Sequence, residues 1–213
     1  MDPEFWRARW QENRIGFHEG APNALLVGHF AALGVKPGGR VFVPLCGKSQ
    51  DMVWLRAQGF TVVGAELSPL AVTQFFAELG MVPEVTPAGP LVRYAAEGVT
   101  IFVGDIFALD ADTLGPVDAV YDRAALVALP PELRVRYAAH LCALTGAAPQ
   151  LLVTFEYDQA QHAGPPFAVL EADVRAYYTA AYTLVKARSR EVAGGLKGQC
   201  PAQESVWRLE RPC

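Results

Sequence analysis

The chain has 213 residues, 52% of them hydrophobic and 19% charged, a balance that excludes a disordered, fibrous or membrane-embedded protein and fits one globular domain. A formal charge of -4 lacks the basic footprint of nucleic-acid binders, which leaves small molecules as the expected partners. At this length roughly 70% of the unfolded surface can be buried, so no disulfide or metal staple is needed. Cys46, Cys142, Cys200 and Cys213 show no CxxC spacing, and no metal site is expected from them. The opening MDPEFWRARWQENR is charged where an export signal would be apolar, and no apolar run approaches the ~20 residues of a membrane-spanning helix. A cytoplasmic protein follows as the expectation, monomeric because every helix can be assigned to covering a sheet.

Asp2-Pro3-Glu4 reads as an N-cap with proline at the first helical position, opening a helix to about Glu12 that puts Trp6 and Trp10 on one face. A second helix is predicted from Asn23 to Leu33, ended by Gly34. Arg40 to Leu45 (RVFVPL) is a short β-branched and aromatic run, the pattern of a strand covered on both faces, with Pro44 tolerable near its end. Then follow a helix Ser49 to Gln58, a strand Thr61 to Ala65, a helix Pro69 to Leu79, strands Thr100 to Val103 and Ala119 to Tyr121, a helix Glu132 to Leu144 and a strand Gln150 to Phe155. A helix near Ala172 to Thr179 and strands near Thr183 to Ala187 and Ser205 to Leu209 close the chain; Leu91 to Tyr94 is a further short candidate strand. Strands alternating with helices imply an α/β doubly wound, mostly parallel sheet, and the last two strands, with no helix between them, an antiparallel pair at one edge.

Ligands of such sheets lie beyond the carboxyl ends of the strands, which selects four loops. Leu45-Cys46-Gly47-Lys48 follows the first strand, where Gly47 lets the backbone turn close to a ligand or simply makes a turn. Glu66 lies 19 positions further on, at the end of an apolar strand, and suits the hydroxyls of an adenosine ribose, with an acidic neighbour of the Ser68-Pro69 helix start as the lesser alternative. Asp105-Ile106 suits an adenine edge and face, with a turn cap as the alternative for Asp105. Arg123, in Tyr121-Asp122-Arg123-Ala124, can reach a cofactor carboxylate or an anionic substrate, or Asp122 and Arg123 could pair with neighbours.

The strings WQENRIGFHEGAPN, VPLCGKSQDMVWLRAQGFTVVGAELSPLAV, GDIFAL, YDRAALVALPPELRVRYAAHL and FEYDQAQHAGPPF closely resemble the thiopurine S-methyltransferase family, especially its bacterial branch, nearly end to end. The tail matches loosely, mainly in ESVWRLER. The resemblance implies a class I S-adenosylmethionine-dependent methyltransferase: a seven-stranded sheet with an antiparallel edge strand over residues 40–213, preceded by N-terminal lid helices in residues 1–33. It implies that Trp10, Leu45, Glu66 and Arg123 bind S-adenosylmethionine, with Ile106 beside the adenine and Phe17 facing the substrate. The implied reaction is in-line transfer to an aromatic or heterocyclic thiol such as a thiopurine. Methylation of selenium or tellurium compounds is the alternative.

Gly164-Pro165-Pro166-Phe167 reads as an acceptor-pocket wall or a connector. His18 and His162 lack a second ligand at metal spacing and fit hydrogen-bonded pocket or surface roles. Cys46 fits a small buried hydrophobe and Phe75-Phe76 packing. No His/Asp dyad is evident, and a thiolate or selenolate needs none; no residue is assigned as general acid or base, and Arg123 could stabilise the deprotonated acceptor. Trp6, Trp10 and Phe17 in the first eighteen residues suggest a lid, or aromatics that merely anchor the helix. Rival readings are an NAD-dependent oxidoreductase, which Gly47 plus Glu66 would also suit, and a non-catalytic adenosine-binding protein.

Overall fold

The computed structural model describes residues 3–212. The expected N-cap at Asp2 and the thiol of Cys213 lie outside the described residues. Helix α1 (Pro3–Gln11) is followed by α2 (Ala24–His29), whose Asn23 cap accepts the Leu25 N–H; α2 tightens into a 3-10 turn over Phe30–Leu33 and stops at Gly34, φ +68°. The predicted second helix is therefore a shorter α-helix with a tighter last turn.

Nine strands form one sheet: β1 (Arg40–Pro44), β2 (Thr61–Glu66), β3 (Glu84–Ala88), β4 (Leu91–Ala96), β5 (Val99–Val103), β6 (Ala119–Asp122), β7 (Gln150–Glu156), β8 (Thr183–Glu191) and β9 (Gln203–Glu210). Their order is β3-β4-β5-β2-β1-β6-β7-β9-β8, with β5, β2, β1, β6 and β7 parallel. β9 runs antiparallel to β7, and β8 antiparallel to β9 at the edge, the arrangement expected of the two last strands. All seven expected strands are present. The hairpin β3–β4 extends the sheet beyond seven: β4 covers the candidate strand at Leu91 to Tyr94, and β3 is new. β3 (EVTPA) buries no residue, so it carries no alternation to read, and its Pro87 is tolerated because β3 has a partner on one side only.

Alternation along the central strands covers both faces of the sheet. Phe42, Val63, Phe102 and Val120 meet Tyr137 and Leu141 of α6 (Pro131–Thr145) and Val174 of α7 (Glu171–Tyr178). Val41, Val43, Val62 and Ile101 meet Leu26 of α2, Leu55 of α3 (Gln50–Ala57) and Phe76 of α4 (Pro69–Glu78). Each fully buried large apolar side chain contributes roughly 1.5–3 kcal/mol, and this two-sided core holds the strand ends in fixed register. A short α5 (Ala111–Leu114) follows β5. Phe75 and Phe76 are buried in the core, as expected of packing residues. Among the described residues no helix is long and apolar enough to cross a membrane.

Candidate active site

The carboxyl ends of β1, β2, β5 and β6 open into a cavity of about 480 Å³, roofed by α1 and the segment after it. After β1 the chain reverses sharply. Leu45 takes φ +46°, costly for a residue with a side chain, and Gly47 takes φ +53°. This reversal aims the Gly47 N–H at Oε2 of Glu66, 2.8 Å away, while Oε1 of Glu66 accepts the Ser68 N–H, also at 2.8 Å. Glu66 is buried; burial raises its pKa, and the backbone N–H donors of Ser68 and Gly47 pull against that rise. Its carboxylate lines the cavity and also ties the starts of both following loops, and the bond to Ser68 bears out the helix-start reading.

The space over Gly47 is taken by the protein. A β-carbon built there would stand 3.0 Å from Cζ2 of Trp10, so the close backbone approach foreseen for a ligand is made to the indole. Trp10 is 4% exposed and meets Phe17 edge-on at 5.6 Å; Phe17 meets Trp6 in the same way at 5.5 Å. Arg123 follows β6 and is joined to this segment twice, by an ion pair with Glu19 and a 3.4 Å bond to the Phe17 carbonyl. Ile106, half-turned in a 3-10 turn capped by Asp105, is buried at the cavity wall, with its carbonyl 2.8 Å from Nε2 of His140. Trp10, Phe17, Leu45, Glu66, Ile106 and Arg123 thus all line one cavity.

Asp122 does not join them. Its oxygens accept from the Leu126 N–H and from the Tyr137 hydroxyl at 2.8 Å, and burial raises its pKa to about 6. Of the adjacent acid and arginine, the acid pairs with structural neighbours and the arginine faces the cavity. Cys46 is buried under Gly64 of β2, with its thiol pKa pushed up by burial and by Glu66, which fits the small-hydrophobe reading. His162 is bonded through Nδ1 to Gln199 at 2.7 Å. His18 lines the cavity, with its pKa lowered by burial and then by Lys48.

Sequence reading missed Asp51. It is 2% exposed and accepts from the Tyr121 hydroxyl (2.9 Å) and the Asn23 N–H (2.7 Å), tying α3, β6 and the start of α2 together beneath the cavity. In sequence it looks like an ordinary first-turn helix acid; only the fold brings its partners to it. The Gly164–Phe167 loop supplies a wall. Pro165 and Pro166, each preceded by a cis peptide, line the cavity, and the loop is held by Phe167 N–H to Val127 (2.7 Å) and Tyr157 hydroxyl to Pro166 (2.6 Å). It is a pocket wall as well as a connector.

Comparison with known proteins agrees with the sheet. The thiopurine S-methyltransferase family model matches residues 1–211. A thiopurine S-methyltransferase of Xanthobacter autotrophicus is 62% identical over 99% of this chain and 100% of its own length. One from Gluconobacter oxydans is 54% identical over 96% of this chain and 93% of its own. Among solved structures, the magnesium protoporphyrin IX methyltransferase of Synechocystis with bound S-adenosylhomocysteine superposes with a TM-score of 0.68 at 16% identity, covering 99% of this chain and 100% of that one. The Burkholderia thailandensis 1,6-didemethyltoxoflavin-N1-methyltransferase gives 0.66 at 18%, covering 98% and 87%. At such identities these two show the fold, that of class I S-adenosylmethionine-dependent methyltransferases. The family match over residues 1–211 and the 62% identical relative overturn the dehydrogenase reading, and the chain belongs to the thiopurine S-methyltransferase family.

Proposed function

We propose that this methyltransferase passes the methyl group of S-adenosylmethionine to a heterocyclic or aromatic thiol. The observation that carries the reading is one cavity with two unlike ends. The end at β1 and β2 offers a buried carboxylate and backbone. The other is walled by Trp6, Phe17, Pro165 and Pro166. The cosubstrate fits the first end: Glu66 accepts two N–H bonds and an ionised carboxylate has about four acceptor sites, so room for ribose hydroxyls remains. Ile106 would cover the adenine, with Leu45 and Trp10 against the methionine portion.

When bound, the sulfonium supplies an activated methyl carbon. The chain's own part is to hold the acceptor sulfur in line and exclude water, and such orientation contributes on the order of 7–11 kcal/mol. Phe17 would bear on the acceptor ring, and Arg123 would favour its thiolate. Residues 3–33 act in this account as a lid on a single domain, through Trp10 on Gly47 and Arg123 on Glu19 and Phe17. We place the protein in the cytoplasm as a monomer. The test is S-adenosylhomocysteine release with a thiopurine, an aliphatic thiol, a selenol and tellurite. Turnover of selenol or tellurite without turnover of any thiol would overturn the reading.

A further inference from the structure

The carboxylates that line the cavity are all engaged. Glu66 holds two backbone N–H groups, Asp51 holds Tyr121 and Asn23, Asp105 caps Phe107, and Glu19 pairs with Arg123. Three cations on the same lining have no acid partner among the described residues: Arg136, whose guanidinium lies over the Phe107 ring at 3.9 Å beside the Ile106 wall, and Arg9 and Lys197. Arg9, on α1, packs its guanidinium over the Phe5 ring at 4.6 Å, and its Nε is buried without a hydrogen-bond partner. Lys197 sits in the loop between β8 and β9 in a left-handed conformation, φ +51°. Its ammonium donates to the Pro165 carbonyl at 2.7 Å, which fixes the charge on the proline wall.

Arg9 and Lys197 belong to the acceptor end. Trp10 turns onto Gly47, whereas Arg9, one residue earlier, turns back along the helix onto Phe5, which contacts Trp6, which contacts Phe17. Lys197 reaches the same region from across the cavity. Two like charges that line one cavity, neither paired with an acid, disfavour each other unless an anion joins them. The pKa of Lys197 is lowered by burial and then by the charge of Arg9, in keeping with that juxtaposition.

We propose that Arg9 and Lys197 form a cationic subsite at the mouth of the acceptor end, selecting thiols that carry a carboxylate or a similar anionic group on the ring. This rests on the S-methyltransferase reading above and narrows its substrate class. Neither cation is asked to touch the reacting sulfur; their task is to hold the far side of the acceptor.

The experiment compares 4-mercaptobenzoate with 4-mercaptobenzamide, which differ in charge and little in size. The wild type should prefer the carboxylate in kcat/KM, with a KM for it that rises with ionic strength. Arg9→Gln combined with Lys197→Gln should lower the carboxylate-to-amide ratio by roughly tenfold or more, the scale of a hydrogen bond to a charged group. Arg9→Lys with Lys197→Arg should restore most of it. Benzoate, which has no sulfur, should compete with the acceptor in the wild type and not in the double glutamine variant, a readout independent of turnover. An unchanged ratio, or an equal loss for both thiols, overturns the subsite. A parallel fall in S-adenosylhomocysteine affinity overturns it too, by assigning the cations to the cosubstrate carboxylate. Turnover of neither thiol by the wild type would instead count against the thiol reading itself.

Discussion

Replacing Glu66 by alanine separates its structural role from the cosubstrate role proposed for it. Sequence spacing alone predicts weaker cofactor binding with the fold intact, because a ribose contact is all that it suggests for Glu66. The structure adds two buried N–H bonds at 2.8 Å, from Gly47 and Ser68, and alanine leaves both donors without an acceptor. Each orphaned donor costs about 1–3 kcal/mol, so the gross loss is about 2–6 kcal/mol. Part of it returns, since the raised pKa of Glu66 shows that burial penalises its charge, and that penalty disappears with the side chain. A net loss of about 2 kcal/mol is the working figure, a substantial share of a typical 5–15 kcal/mol. With a urea slope of about 2 kcal/mol/M, the midpoint should fall by about 1 M.

Glu66→Gln keeps one acceptor oxygen, and its midpoint should fall by about half as much. Calorimetry at a temperature where the alanine variant remains folded should show S-adenosylhomocysteine bound roughly 10- to 100-fold more weakly, the cost of losing a charged acceptor for hydroxyls. A midpoint equal to wild type would refute the tethering role. A lowered midpoint with unchanged affinity would refute the ribose role and leave Glu66 a structural acid.

Three further outcomes are expected. Asp122 has a folded pKa near 6 against an ordinary 3.8, so the folded state holds this proton more tightly and stability should fall as pH rises from about 4 to about 6, by about 3 kcal/mol; Asp122→Asn should flatten that slope in urea melts across the window, and an unaltered slope would mean that another acid carries it. A chain starting at Ala21 should keep a cooperative melt and most of its far-UV circular dichroism while losing S-adenosylhomocysteine binding, and normal binding by the shortened chain would end the lid account. Arg123→Ala should raise the pH at which a weakly acidic thiol reaches half-maximal rate; an unmoved profile would remove the acceptor role of Arg123.

The parallel centre of the sheet is legible in the sequence because its strands are short apolar runs with turns at both ends, and the family strings reinforce it. β3 is not legible, because an exposed edge strand owes its pairing to β4 rather than to any burial pattern of its own. At the site, spacing points to Glu66 and strand-end position to Arg123. Spacing cannot show that Leu45 adopts a left-handed turn, and that turn is what brings Gly47 to Glu66 and leaves room for Trp10. Nor can it sort Asp122 from Arg123, since the outcome depends on Tyr137, fifteen positions away on α6, reaching the acid. Asp51 escapes for the same reason, with Tyr121 lying 70 positions further along.

These dependencies divide the cavity by origin. The end assigned to the cosubstrate is made by loops that leave β1, β2 and β5, each held by backbone bonds within the sheet, such as Cys46 N–H to the Ala65 carbonyl and Gly104 N–H to the Glu66 carbonyl. The end assigned to the acceptor is made by segments outside the parallel core: α1 with Phe17, the Gly164–Phe167 loop, and the β8–β9 loop that carries Lys197. They meet chiefly through side chains and single carbonyls, among them Lys197 on Pro165 and Arg123 on Phe17. Substitution in them should reshape the proposed acceptor end without disturbing strand register, whereas a change at Glu66 should affect the fold and, on the proposed ribose role, binding as well. Differences in acceptor choice among relatives should therefore follow α1 and the β8–β9 loop; exchanging that loop with the Xanthobacter relative should alter the ranking of thiols while leaving S-adenosylhomocysteine affinity in place. A swapped loop that changed cosubstrate affinity and left the ranking untouched would contradict this division.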